Sequence, residues 1–125
     1  MKPVAYVAGP YRSKEGPNGI LKNIMAARDI AIQLWRMGYA VVCPHANTFL
    51  MDGAAPDDVW LEGDLEILRR CDMVVMTPNW KESSGATAEK NEAEANNIPV
   101  CIWPEVDPPE LCAWGKQMEH LIHDS

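Results

Sequence analysis

Basic side chains are scarce in this chain: 11 Lys and Arg stand against 18 Asp and Glu, a formal net charge of -7 over 125 residues. Binding along a nucleic-acid polymer needs a basic face, so this balance argues against a polymeric nucleic-acid partner. It leaves room for a single nucleotide, which one Arg and a few backbone N–H groups can hold. No CxxC pair occurs among the four cysteines, Cys43, Cys71, Cys101 and Cys112, which removes the usual spacing of a zinc site or redox motif. Three of the four lie in or beside apolar strand-like runs, where a free thiol behaves as a small hydrophobe, so buried reduced thiols are expected. A disulfide framework belongs to smaller, secreted, loop-rich chains. No apolar stretch approaches the ~20 residues that span a bilayer, and no charged-then-apolar signal segment precedes the first strand. A soluble, cytoplasmic protein with no membrane partner is the expectation. Repeats, linkers and low-complexity segments are absent, as are the P-loop pattern GxxxxGK[ST] and the dinucleotide pattern GxGxxG. No metal site and no cofactor are expected.

What is present reads as one globular domain over residues 1–125, with 47% apolar and 23% charged residues. Pro3 to Ala8 is a short apolar run closed by Gly9-Pro10, a buried strand and a turn. A loop is expected over 9–20. From about Leu21 to Met37 the positions Ile24, Ala27, Ala31, Leu34 and Trp35 recur at helical spacing, and Gly38 ends the helix. Tyr39 to Cys43 is a second strand, followed by a loop over 44–56 with no clear period. Asp57 and Asp58 open a helix with the charge its positive end favours, and it runs to about Arg70 with Val59, Leu61, Leu65 and Leu68 on or near its apolar side. Asp72 to Thr77 is a third strand, Gly85 to about Asn96 an Ala-rich helix, Ile98 to Trp103 a fourth strand, and about Pro109 to His123 a last helix. Strands that are continuously apolar and alternate with helices form a parallel sheet covered on both faces. The expected fold is therefore α/β, a doubly wound parallel sheet of Rossmann or flavodoxin-like type with about four to five strands. In such folds a ligand sits beyond the carboxyl ends of the strands, where the strand order reverses.

That rule directs attention to the loops after the strands. Gly9 permits close backbone approach and Arg12 offers a planar fork for phosphate, although a tight turn with a surface Arg reads equally well. Ser83 or Ser84 can cap the helix that carries Gly85 and Glu89, turning its first N–H groups toward the ligand side. Glu89, about one turn in, is placed to attack a sugar carbon or stabilise an oxocarbenium-like centre; the plainer reading is a solvated helix carboxylate. Asp64 is an unfavourable residue inside a helix, which hints at a role beyond propensity, such as protonating a leaving base. His45 stands at the ligand end of the second strand, within reach of a base pocket or simply in a loop. Asp72, at the start of the third strand, reads as structural. His120 and His123 lie three apart without further identifiable metal ligands, and Trp60 and Trp80 suit either base stacking or packing.

Taken in order, Tyr6-Val7-Ala8-Gly9-Pro10, Asp64-Leu65-Glu66 ahead of Cys71-Asp72-Met73-Val74-Val75, and Ser83 six residues before Glu89 resemble the nucleoside 2-deoxyribosyltransferase superfamily. That superfamily includes the deoxynucleoside 5′-monophosphate N-glycosidases. Pro44-His45-Ala46-Asn47-Thr48 and the chain length are similar to its short DUF4406-like branch. The resemblance implies Glu89 as the nucleophile at C1′, Tyr6 as the residue that orients it, and Asp64 as an assistant at base or sugar. It places Gly9 and Arg12 where a 5′-phosphate is held. At position 83 the resemblance implies aspartate for transferases acting on free nucleosides and serine for the monophosphate hydrolases. A carboxylate beside a phosphate dianion is repelled, whereas a hydroxyl donates to it. Ser83 with Arg12 therefore points to a nucleotide substrate and water as acceptor. Pro10-Tyr11 departs from the small residues of the monophosphate hydrolases at that loop. The resemblance alone implies a homodimer or higher homo-oligomer. Two alternatives stay open: base exchange by a deoxyribosyltransferase, and a nucleotide-binding module without turnover.

Overall fold

The computed structural model describes residues 2–47 and 53–111. The chain alternates strands and helices: β1 (Val4–Ala8), α1 (Pro17–Arg36), β2 (Ala40–Val42), α2 (Pro44–Asn47), α3 (Asp57–Arg69), β3 (Met73–Met76), a 3₁₀ turn (Trp80–Glu82), α4 (Ser84–Ala95) and β4 (Val100–Ile102). The four strands form one parallel sheet in the order β2-β1-β3-β4. This is the doubly wound α/β sheet expected from the sequence. The strand order reverses between β1 and β3, so the carboxyl ends of these two strands define the crevice. The last predicted helix falls mostly outside the described residues, as do Cys112, His120 and His123.

Side chains on a strand alternate between faces, and that alternation divides the core in two. Ala5 and Val7 of β1, with Met73 and Val75 of β3, meet Ala27, Ile30, Ala31 and Leu34 of α1. On the opposite face Tyr6, Ala8, Val74 and Met76 meet Leu68 of α3 and Ala86 and Ala93 of α4. Tyr6 is thereby committed to the α3–α4 side before any chemistry is considered. The small Ala86 and Ala93 bring the α4 backbone close to that face.

Helix ends follow from local chemistry. After α1, Gly38 adopts a left-handed φ of 104°, Tyr39 N–H donates to the Leu34 carbonyl, and Gly38 N–H donates to that of Trp35. This double closure is the Schellman arrangement, and glycine adopts it without a Cβ penalty. Asn97, at a φ of 58°, closes α4 in the same way, with Ile98 N–H bonded to the Ala93 carbonyl. Asp72 ties the sheet at the end away from the crevice: its carboxylate accepts from Val4 N–H at 2.7 Å and its own N–H donates to the Val4 carbonyl. The structural reading of this residue holds. Cys43 and Cys71 are buried and Cys101 is half-buried.

Three expectations need correction. The helix after β1 starts at Pro17 rather than near Leu21, because Pro is pre-organised for the first helical turn. The segment after β2 is not all loop, since Pro44–Asn47 make one short helical turn. Trp35 shares the helical spacing of the apolar positions of α1, yet it is 53% exposed while its neighbour Leu34 is fully buried. One residue is 100° of helix, enough to carry a side chain off the buried stripe. Leu34→Ala is accordingly expected to destabilise the protein by about 2–5 kcal/mol, and Trp35→Ala by no more than about 0.5 kcal/mol. Urea unfolding of both variants checks the contrast.

Candidate active site

The crevice is built around a carboxylate that the fold removes from water. Glu89 is only 7% exposed, on the inner side of α4. The Tyr6 hydroxyl, fully buried, donates a short hydrogen bond to Glu89 Oε2. This contact spans 83 residues of sequence. It exists because β1 alternation turns Tyr6 toward α4 while helical spacing turns Glu89 inward beside Ala86 and Ala93. Ser83 caps α4, its Oγ accepting the Ala86 N–H at 3.1 Å, which fixes where the helix begins and hence the height of Glu89. Gly85 sits in that first turn, with room beside it: an added Cβ would meet nothing closer than Ser83 Oγ at 3.7 Å.

Asp64 approaches the pair from α3, close enough to act electrostatically on both Tyr6 and Glu89. Burial, first, and the Asp64 charge push the Glu89 carboxyl up to about 7, against the opposing pull of the Tyr6 hydrogen bond. Burial pushes Asp64 up to about 6. Burial and the neighbouring carboxylates raise the Tyr6 phenol further above its ordinary range, so it remains a donor. Two carboxyls that titrate near neutrality, beside a permanent hydroxyl donor, can hold one proton and one negative charge at the same time. That is the equipment for acid-assisted nucleophilic displacement.

The rim is formed by the loop after β1, which is braced at each residue. Gly9 packs so tightly on Thr77 that a Cβ there would lie 2.4 Å from its Cγ2. His45, buried on α2, donates from Nε2 to the Pro10 carbonyl at 2.9 Å and stacks edge-on with Tyr11. Burial lowers its basicity, against the opposing pull of hydrogen bonding to the loop backbone. Asn23 of α1 donates to the Tyr11 carbonyl at 3.0 Å. Arg12 reaches to Asp57 at the start of α3, with Nη2 2.5 Å from Oδ1 and Nε 3.2 Å from Oδ2. The structure thus brings Tyr6 and Glu89 into direct contact and sets Asp64 within electrostatic reach of both. It sets Gly9, Arg12 and His45 on the rim loop or its braces, and Ser83 and Gly85 in the first turn of α4. His45 contacts the loop backbone, so its observed role is to hold that loop. Trp60 is half-buried on α3, and Trp80 packs against the α4-side core with Lys81 and Lys90 near its ring.

Sequence reasoning did not single out Asn23, Asp57 and Thr77 as parts of this rim. Asn23 carries a faint signal, an Asn inside a helix that disfavours it. Asp57 has the ordinary appearance of a helix-start acid, and Thr77 of a strand-end residue. Among the described residues no group of three His, Cys, Asp or Glu is placed to share a metal ion, and no helix is long and apolar enough to cross a membrane.

The fold and these carboxyls define a doubly wound α/β protein whose crevice opens at the β1–β3 switch. The chain shares its fold with a solved 2-deoxyribosyltransferase from the psychrotolerant bacterium Bacillus psychrosaccharolyticus, at a TM-score of 0.57 and 20% identity, over 83% of this chain and 76% of that one. It belongs to the family described as a domain of unknown function, DUF4406, whose model matches residues 3–102. No curated protein matches it. The DUF4406-like resemblance is borne out by the family match, and the expected α/β fold by the shared structure.

Because Glu89 is held protonated up to about pH 7, against an ordinary value of 4.5, its contribution to stability is full below about 4.5 and is lost as pH rises through 7. Glu89→Gln keeps an acceptor for Tyr6 without the charge. It is expected to unfold at higher denaturant than wild type at pH 8, by on the order of 2–3 kcal/mol, with the difference vanishing near pH 4. Urea titrations at the two pH values measure this, and a variant no more stable at pH 8 would contradict it.

Proposed function

We propose that the protein is an enzyme that cleaves the N-glycosidic bond of a nucleoside 5′-monophosphate, with Glu89 as nucleophile and water as final acceptor. The observation that carries this reading is the buried Tyr6–Glu89 hydrogen bond with Asp64 in electrostatic reach. Tyr6 holds Oε2, leaving Oε1 to attack C1′. As the C1′–N bond breaks, its electron pair passes to the base, and Asp64 supplies the proton. Positive charge developing on the sugar favours the ionised form of Glu89, so the shared proton moves to Asp64 as the transition state forms. Water then attacks C1′ of the glycosyl ester, giving its proton to the Asp64 carboxylate and releasing Glu89.

Arg12 and Ser83 support a phosphorylated substrate. Arg12 offers a guanidinium fork at the rim, and the Ser83 hydroxyl keeps its proton for donation while its oxygen caps α4. Base exchange is the second reading, favoured by the fold shared with a 2-deoxyribosyltransferase. It differs only in the last step, where a second base replaces water.

Chromatographic detection of free base from a panel of ribo- and deoxynucleosides and their 5′-monophosphates tests the proposal. Release from monophosphates, reduced by about 10³-fold or more in Glu89→Ala, is expected. Incorporation of a labelled second base would assign the transferase instead. Tight nucleotide binding without release, unchanged in Glu89→Gln, would make the protein a binding module.

The carboxyl pair also sets a pH profile. Only the form carrying one proton is competent, so kcat/KM should be bell-shaped with its maximum between about 6 and 7. Asp64→Asn is expected to remove the alkaline fall and leave the acid limb, because Glu89 must still ionise. A profile that keeps both limbs in this variant would exclude Asp64 as the proton source.

A further inference from the structure

Arg12 and Asp57 join the loop after β1 to the start of α3 at the open end of the crevice. Arg12 belongs to the loop after β1, and Asp57 is the first residue of α3. Their contact is two-pronged, through Nη2–Oδ1 at 2.5 Å and Nε–Oδ2 at 3.2 Å, with both side chains mostly exposed. Asp57 and Asp64 are seven residues apart on α3, two helical turns, and so lie on nearly the same face about 10 Å apart along the axis. The face that presents Asp64 to Tyr6 and Glu89 therefore also presents Asp57 to Arg12. A line along this face runs from the carboxyl pair to the one guanidinium that the β1 loop carries.

An aspartate occupies a guanidinium fork with the same bidentate geometry that a phosphate uses. While Asp57 is engaged, a phosphate on a substrate must displace it, and once displaced the aspartate remains beside the dianion and repels it. An exposed pair contributes little to stability, so the exchange is easy; the repulsion persists. A neutral nucleoside meets neither effect. We propose that Asp57 is a positioning residue that sets substrate selectivity: it holds Arg12 in an ion pair that a substrate phosphate must displace, and so limits the preference for nucleoside monophosphates over free nucleosides. The inference rests on the site reading above, in which Arg12 faces the phosphate.

The test compares wild type, Asp57→Asn, Asp57→Glu and Arg12→Ala in two measurements. The first is KM and kcat for a nucleoside and its 5′-monophosphate. The second is the calorimetric Kd of inorganic phosphate, which needs no turnover. Asp57→Asn is expected to lower the monophosphate KM and the phosphate Kd by about three- to tenfold, and to change the nucleoside KM by less. Asp57→Glu, which restores the charge, should return both toward wild type, and Arg12→Ala should weaken phosphate binding. Unchanged or weaker phosphate binding in Asp57→Asn, or wild-type phosphate binding in Arg12→Ala, would overturn the proposal. Absence of base release from every substrate would instead overturn the N-glycosidase reading, while the phosphate Kd values still decide the role of Asp57.

Discussion

One buried hydrogen bond, from the Tyr6 hydroxyl to the Glu89 carboxyl, is the constraint around which the crevice is organised. Burying a carboxyl is unfavourable unless it is neutralised or well bonded, and here both happen. Tyr6 supplies a donor that burial keeps protonated, and burial itself raises Glu89 toward neutrality. A domain selected for stability alone would place an apolar residue at position 89, as it does at Ala86 and Ala93 on the same helix face. Retaining an acid there sacrifices stability at neutral pH, which is the usual signature of a working site.

The bond is held from three directions. β1 lies in the middle of the sheet, flanked by β2 and β3, so Tyr6 cannot shift without disturbing both ladders. The Ser83 cap fixes the start of α4. The Arg69 ion pair with Glu92 ties α3 to α4 on the outside, while Leu68 and Ala93 pack beneath it. That bridge is solvent-screened and contributes little, so the apolar contacts set the spacing of Asp64 from Glu89 and the ion pair trims it.

Above the carboxyls, the loop after β1 is fastened by contacts of a different kind. Its carbonyls are taken by His45 and Asn23, and Gly9 rests on Thr77. A backbone so bonded presents its remaining groups to the crevice in a fixed arrangement, which lowers the ordering cost of binding. The His45 brace is buried and that of Asn23 partly buried, whereas the Arg12 contact is exposed. Graded exposure of this sort leaves the rim rigid at its base and exchangeable at its tip.

The layered α/β sheet, the positions of its four strands and the C-terminal ends of α1 and α4 were legible in the sequence, because continuous apolar runs, helical spacing and turn residues act over a few neighbours. The ordered motifs likewise marked Tyr6, Asp64 and Glu89 as residues to watch. Periodicity did not separate Leu34 from Trp35, since a single residue decides which side of the buried stripe a side chain falls on. Nor could it show that Asp57 pairs with Arg12, that His45 grips the Pro10 carbonyl, or that Asn23 closes the loop, for these contacts span from 11 to 45 residues and leave no local pattern. The sequence by itself determined which segments become strands and helices and which faces they bury. Only the tertiary structure decided that a tyrosine and a glutamate 83 residues apart share a proton-bearing bond, and that burial carries two carboxyls toward neutrality, because desolvation depends on the whole fold.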